Sequence, residues 1–180
     1  EQASALLLVG SSLRQDVPII AHRVRKGVLR RGTRVAFVNP QPIDVLFPVE
    51  AQLTSNGYGM AQHLAAILAA AVRTSGNPLP AAAGTALDGI VPNAEHERVA
   101  RMLTEGELRV ILLGALAERH VAYSEIRALA VAVATVTGAR LGFLPEEERT
   151  YPQHRVGASV LGYAGVDNEG LAGVELAYDR

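Results

Sequence analysis

Apolar positions in this chain follow two rhythms. Ala5-Leu6-Leu7-Leu8-Val9 is an unbroken run closed by Gly10, the length of a buried strand. Val17, Ile20, Ala21, Val24 and Val28 then recur at three and four, which predicts an amphipathic helix over about 16–30. Ser11, Ser12 and Asp16 offer caps, Pro18 suits the first turn and Gly32 the stop. Arg23, Arg25, Lys26, Arg30 and Arg31 load its C-terminal half, where the helix dipole favours cations. Arg34 to Asn39 is a second strand ending at Pro40. Together these make one strand–helix–strand unit, expected to cross over right-handed.

The same grammar returns later. Residues 40–56 hold three prolines and no helical period, and read as an irregular excursion. Met60, Leu64, Ile67, Leu68 and Ala71 predict a helix over 59–73, followed by a Pro/Gly-rich loop over 75–92. Asn93 caps a helix whose third following residue, His96, is not the acidic partner of a capping box. Val110-Ile111-Leu112-Leu113-Gly114 repeats the strand-then-Gly opening, a helix over 124–137 ends at Gly138, and 141–145 is a last strand. The expected fold is α/β: a parallel sheet of βαβ units with helices on both faces, over residues 1–146. From Glu146-Glu147-Glu148 the texture changes, and 147–180 reads as a separate extended or hairpin segment, possibly foreign to the first domain.

Composition narrows the chemistry. The chain has 180 residues, a net charge of -1 and no cysteine. This excludes disulfides, thiolate-ligated clusters and cysteine nucleophiles, and gives no basic excess for a nucleic-acid binder. No run of eighteen apolar residues occurs, so no membrane span is expected, and no signal-peptide pattern opens the chain. Position 1 is Glu, which suggests a fragment or a processed chain.

Candidate sites sit at strand ends. Gly10-Ser11-Ser12 and Gly114-Ala115 occupy the edge where open sheets bind ligands, but neither is GxGxxG or a P-loop, and a Gly after a strand also serves simply as a turn. Asn39-Pro40 ends strand two, where nucleotide-binding units often place a polar ribose reader. The five histidines (22, 63, 96, 120 and 154) show no pair three or four apart, so no helical metal pair is expected. Ser11 and Ser12 lack a nucleophile elbow, and no catalytic residue is assigned. The cluster Arg23 to Arg31 suits a phosphate or an acidic partner, and equally a solvated face.

Leu6-Leu7-Leu8-Val9-Gly10-Ser11-Ser12-Leu13-Arg14, Pro18 to Lys26, Val35 to Pro40 and Asp44 to Pro48 carry a family likeness. So do Val110 to Ala117, His120, Leu129-Ala130, Thr137-Gly138-Ala139 and Leu141 to Glu146. In order and spacing, these resemble the molybdopterin-oxidoreductase-like region of the large iron–sulfur subunit of bacterial NADH:quinone oxidoreductase (respiratory complex I). The resemblance covers residues 3–146. It implies a structural module with a vestigial cofactor cleft and no catalytic residues of its own. The iron–sulfur clusters would belong to a cysteine-bearing part of the subunit missing here. The partners would be other peripheral-arm subunits, and the setting membrane-associated, peripheral, on the cytoplasmic side of the inner membrane. The alternative implied is a module binding molybdopterin guanine dinucleotide, with Gly10, Ser11, Ser12, Asn39, Pro40, Gly114 and Ala115 around its guanosine diphosphate-like part.

Residues 149–179 resemble instead the region upstream of the transpeptidase domain in class B penicillin-binding proteins of cell division. The SxxK, SxN and KTG motifs of that family are absent, so no acylation chemistry carries over. Both likenesses in one chain suggest a fusion, a mis-assembled reading frame or a chimera, with a non-catalytic peptidoglycan-synthesis fragment as a third reading.

Overall fold

The computed structural model describes residues 2–56, 59–144, 163–164 and 170–172. The chain divides into two compact units, 1–147 and 148–180.

The first unit is an α/β fold whose five parallel strands lie in the order β3-β2-β1-β4-β5. β1 (Ala5–Val9) is central and buried at all five positions. Its neighbours are β2 (Arg34–Asn39) and β4 (Arg109–Leu113), with Leu7 level with Ala36 on one side and Ile111 on the other. The edges are β3 (Ala51–Thr54) and β5 (Arg140–Phe143). A strand paired on both sides and covered on both faces has no polar side, which is why β1 reads as a continuous apolar run.

Alternate side chains feed two cores of unequal size. Leu7, Val9, Ala36, Val38, Ile111 and Leu113 face α3 (Gly59–Ser75), α4 (Ala94–Thr104) and α6 (Tyr123–Thr137). Ala61, Ala65, Ala66, Ala70 and Ala71 of α3 are buried, and their small side chains allow close helix packing. Leu6, Leu8, Val35 and Phe37 face the other way, toward α2 (Pro18–Arg31) and the 43–49 loop. α2 buries only Gly27 fully and shows solvent a long basic face.

Several boundaries differ from the sequence reading. The helix expected over about 16–30 is present as α2; a separate single turn, α1 (Leu13–Asp16), precedes it, set off by Val17, which leaves helical geometry at φ -144°. The excursion over 40–56 contains β3. Gln52, in its middle, clamps the preceding loop by donating from Nε2 to Ile43 O and accepting from Ile43 N–H, at 3.1 and 3.0 Å. The loop over 75–92 holds a 3-10 helix at Ala81–Leu87, and a one-turn helix α5 (Ala115–Glu118) follows β4. Gly32 and Gly138 end α2 and α6 in the left-handed conformation, both at φ 70°.

The expectation of a membrane-associated chain is corrected. Among the described residues no helix is long and apolar enough to cross a membrane; α3, with 17 residues, buries its apolar face in the core. In the second unit, β6 (Tyr163–Ala164) pairs antiparallel with β7 (Gly170–Ala172). The remainder of 145–180, including the acidic run 146–148 and most of the penicillin-binding-protein-like stretch, lies outside the described residues.

Candidate functional site

The strand order reverses at β1. The chain leaves β1 for β2 and β3 on one side, then returns to place β4 and β5 on the other. The carboxyl ends of β1 and β4 therefore flank the point where open α/β sheets usually hold ligands. The structure brings Gly10, Ser11, Asn39 and Gly114 together there, bonded to one another or to neighbouring strand ends and α5.

Asn39 is 1% exposed and Ser11 0%. Ser11 N–H donates to Asn39 Oδ1 at 2.9 Å, and Asn39 Nδ2 donates to Ser11 O at 3.0 Å. The amide thus satisfies both backbone groups of a residue on the neighbouring strand end. Leu116 N–H and Ala117 N–H donate to Gly10 O at 2.9 and 3.2 Å, drawing the start of α5 onto the β1 loop. Gly114 lies against Ser11, where an added Cβ would be 2.6 Å from Ser11 Cβ. Ser12 N–H donates to Asp16 Oδ2 at 2.8 Å, and Ser12 Oγ to Gln15 Oε1 at 2.8 Å. Ser12, Pro40 and Ala115 are the partly exposed members of the set. Ser12 borders a depression of about 450 Å³ shared with Arg14, Gln41 and Asp44.

A pyrophosphate at such a point needs backbone N–H groups free to point at it and no anion beside them. Here the N–H groups of Ser11, Ser12, Leu116 and Ala117 already have protein acceptors, and one acceptor is the Asp16 carboxylate. These four N–H groups are therefore committed within the protein rather than turned toward a nucleotide diphosphate group.

A second constellation escaped sequence reasoning. His63 on α3 and His96 on α4 meet with Nδ1 and Nε2 2.9 Å apart. His96 is buried, and its Nδ1 accepts the Asn93 N–H at 3.1 Å while Asn93 Oδ1 accepts from His96 N–H and Glu95 N–H. A capping box is therefore present with His as its third-residue partner, which corrects the sequence expectation. The acceptor role fixes the proton of neutral His96 on Nε2, from which it donates to His63 Nδ1. His63 Nε2 is buried without a hydrogen-bond partner. The two rings lie 33 residues apart on separate helices, so no local spacing signals the pair. Among the described residues no group of three or more His, Cys, Asp or Glu could hold a metal ion. His22 lies on the exposed basic face of α2. His154 lies outside the described residues.

The pair makes stability depend on pH. Burial holds the His96 pKa below its ordinary value, the neighbouring His63 adds to this, and Glu95 opposes it. The unfolded chain then binds the proton first as pH falls. Stability is full above about 6.5 and is lost as pH falls toward and through the depressed folded value, with a limiting slope of about 1.4 kcal/mol per pH unit for one proton. His96→Gln retains a side-chain acceptor for the Asn93 N–H. Urea unfolding between about pH 7 and pH 5 should show a shallower acid slope for this variant. Parallel slopes in the two proteins would remove His96 from the account.

No protein-family model matches the chain, and no curated protein matches it in sequence.

Proposed function

We propose that residues 3–146 act as a non-catalytic structural module of the molybdopterin-oxidoreductase-like type, in a subunit resembling the large iron–sulfur subunit of NADH:quinone oxidoreductase. Its role would be to support electron transfer from NADH to quinone by packing against other peripheral-arm subunits. The chain has no cysteine, so thiolate-ligated clusters of such a subunit would be held elsewhere. One observation carries the reading. The switch point is closed on itself, with the Asn39 amide bonded to both backbone groups of Ser11 and α5 bonded to Gly10 O. On this reading the Asn39 side chain ties the carboxyl ends of β1 and β2 together rather than reading a ribose.

The test uses the full chain. Acid extraction of the purified protein should release no stoichiometric pterin, and guanosine diphosphate should leave its melting temperature unchanged. Mixed with purified peripheral-arm subunits, it should elute with them in gel filtration. A stoichiometric pterin nucleotide, or a saturable thermal shift with guanosine diphosphate, would overturn the scaffold reading in favour of a molybdopterin-nucleotide module.

A further inference from the structure

The basic cluster of α2 plays no part in the closed switch point. Residues 17–43 hold six of the 17 Lys and Arg of the chain and none of its 18 acids, so the other 153 residues hold 11 bases against 18 acids. A chain of nearly zero net charge therefore carries one concentrated positive segment. Among the described residues Arg23, Arg25, Arg30 and Arg31 make no ion pair.

Beside this face runs an apolar slot. Leu13, Pro18, Ala21, Val45, Leu46 and Phe47 line a cavity of about 200 Å³ between α2 and the 45–47 turn. Its rim is cationic, formed by Arg14, His22 and Arg25. His22 and Arg25 also border the next depression along α2, shared with Lys26, Leu29 and Arg30, so the two depressions adjoin along the helix as a groove with these side chains between them. From Pro18 to Arg30 the helix rises about 18 Å. Leu46 and Leu29 lie along the groove and are 63% and 57% exposed. Asp44, the acid beside it, stands 3.8 Å from Arg14, with both side chains largely in solvent, where such a pair holds weakly.

We propose that this groove docks an acidic segment of a partner protein that inserts one Leu- or Phe-sized side chain into the slot. The size of the slot argues for such an anchor, since a cavity of roughly 150 Å³ already accommodates a benzene ring. The guanidinium groups of Arg25 and Arg30 on its rim, which make no ion pair among the described residues, argue for carboxylates around it, because Arg matches carboxylates with paired hydrogen bonds. A nucleic acid or an anionic bilayer would share the charge attraction but not the demand for a single anchor. The inference deepens the scaffold reading and rests on it, as the surface by which such a module holds a neighbour.

The probe is a fluorescein-labelled peptide of about twelve Glu, Asp and Ala residues with one central Phe, read by fluorescence anisotropy on the full chain at low salt. Controls are the same peptide with Phe replaced by Ala, a Gln/Asn version, a single-stranded oligonucleotide, and phosphatidylcholine–phosphatidylserine vesicles. The acidic Phe peptide should bind at least about tenfold tighter than either peptide control. Arg25→Glu with Arg30→Glu, and separately Leu46→Asp, should each weaken it by about tenfold or more with the fold retained and the melting temperature only slightly lowered, since all three side chains are exposed and the Arg30 charge change disfavours the end of α2 only modestly. Equal binding of all peptides, no binding, or tighter binding of the oligonucleotide or vesicles would overturn the groove. Failure here leaves the closed switch point standing. Nucleotide binding would sink the scaffold reading while leaving the peptide result intact.

Discussion

Gly10→Ala should destabilise the first unit by about 3–6 kcal/mol, a large part of the stability of an ordinary domain. Two separate effects combine. Gly10 sits at φ 61°, a conformation that disfavours any Cβ by roughly 1–2 kcal/mol. The added Cβ would also stand 2.6 Å from Ala117 Cβ and 2.7 Å from Ala117 Cα, and closer still to Ala117 N. These are largely backbone atoms of α5, so no rotamer change relieves the overlap. Moving α5 away lengthens the bonds from Leu116 and Ala117 N–H to Gly10 O, worth about 1 kcal/mol each. Gly32→Ala is the internal control, since its φ is 70° and nothing lies within 4 Å of its added Cβ. Urea denaturation should show a small loss for Gly32→Ala and a much larger one for Gly10→Ala. Equal losses would mean that the β1 loop and α5 are not locked together.

What could be read from the chain follows from how local each signal is. β1 and β4 announce themselves because central parallel strands are apolar along nearly their whole length, β1 at all five positions and β4 from Val110 to Leu113. Gly32 and Gly138 mark helix ends because the left-handed turn is a property of one residue. β3 stays hidden: it is four residues long, follows three prolines, and carries Gln52, whose polarity is explained only by the Ile43 backbone it binds. The one-turn helix α5 has no period to show. The strand-end residues could be identified as a group, since strand ends in such sheets converge. Their roles could not, because Asn39 finds its partner 28 residues away across the sheet and its bonds point inward to Ser11 rather than outward to a ligand. His96 illustrates the same limit. Its ring accepts from its own helix cap at one nitrogen and meets α3 at the other, and only the packing of α4 on α3 makes the second contact.

The replacement of Asn39 separates a structural amide from a ligand reader. Asn39→Ala leaves the Ser11 N–H and C=O buried without partners, and each such group costs about 1–3 kcal/mol, so a loss of roughly 2–5 kcal/mol is expected. Asn39→Asp is nearly isosteric yet should be damaging at neutral pH. An ionised carboxylate at this buried position accepts from Ser11 N–H, but it repels Ser11 O and loses its hydration. Protonation restores a donor toward Ser11 O. The folded variant therefore holds its proton more tightly than the unfolded chain, and the penalty should shrink as pH falls. This is opposite in sign to the His96 effect. Urea unfolding of the wild type and both variants across the acid range would display the crossing trends. If Asn39→Asp were instead as stable as the wild type at neutral pH, the carboxylate would have to reach solvent or a ligand. The strand end would then be open, and the closed switch point on which the scaffold reading rests would be refuted.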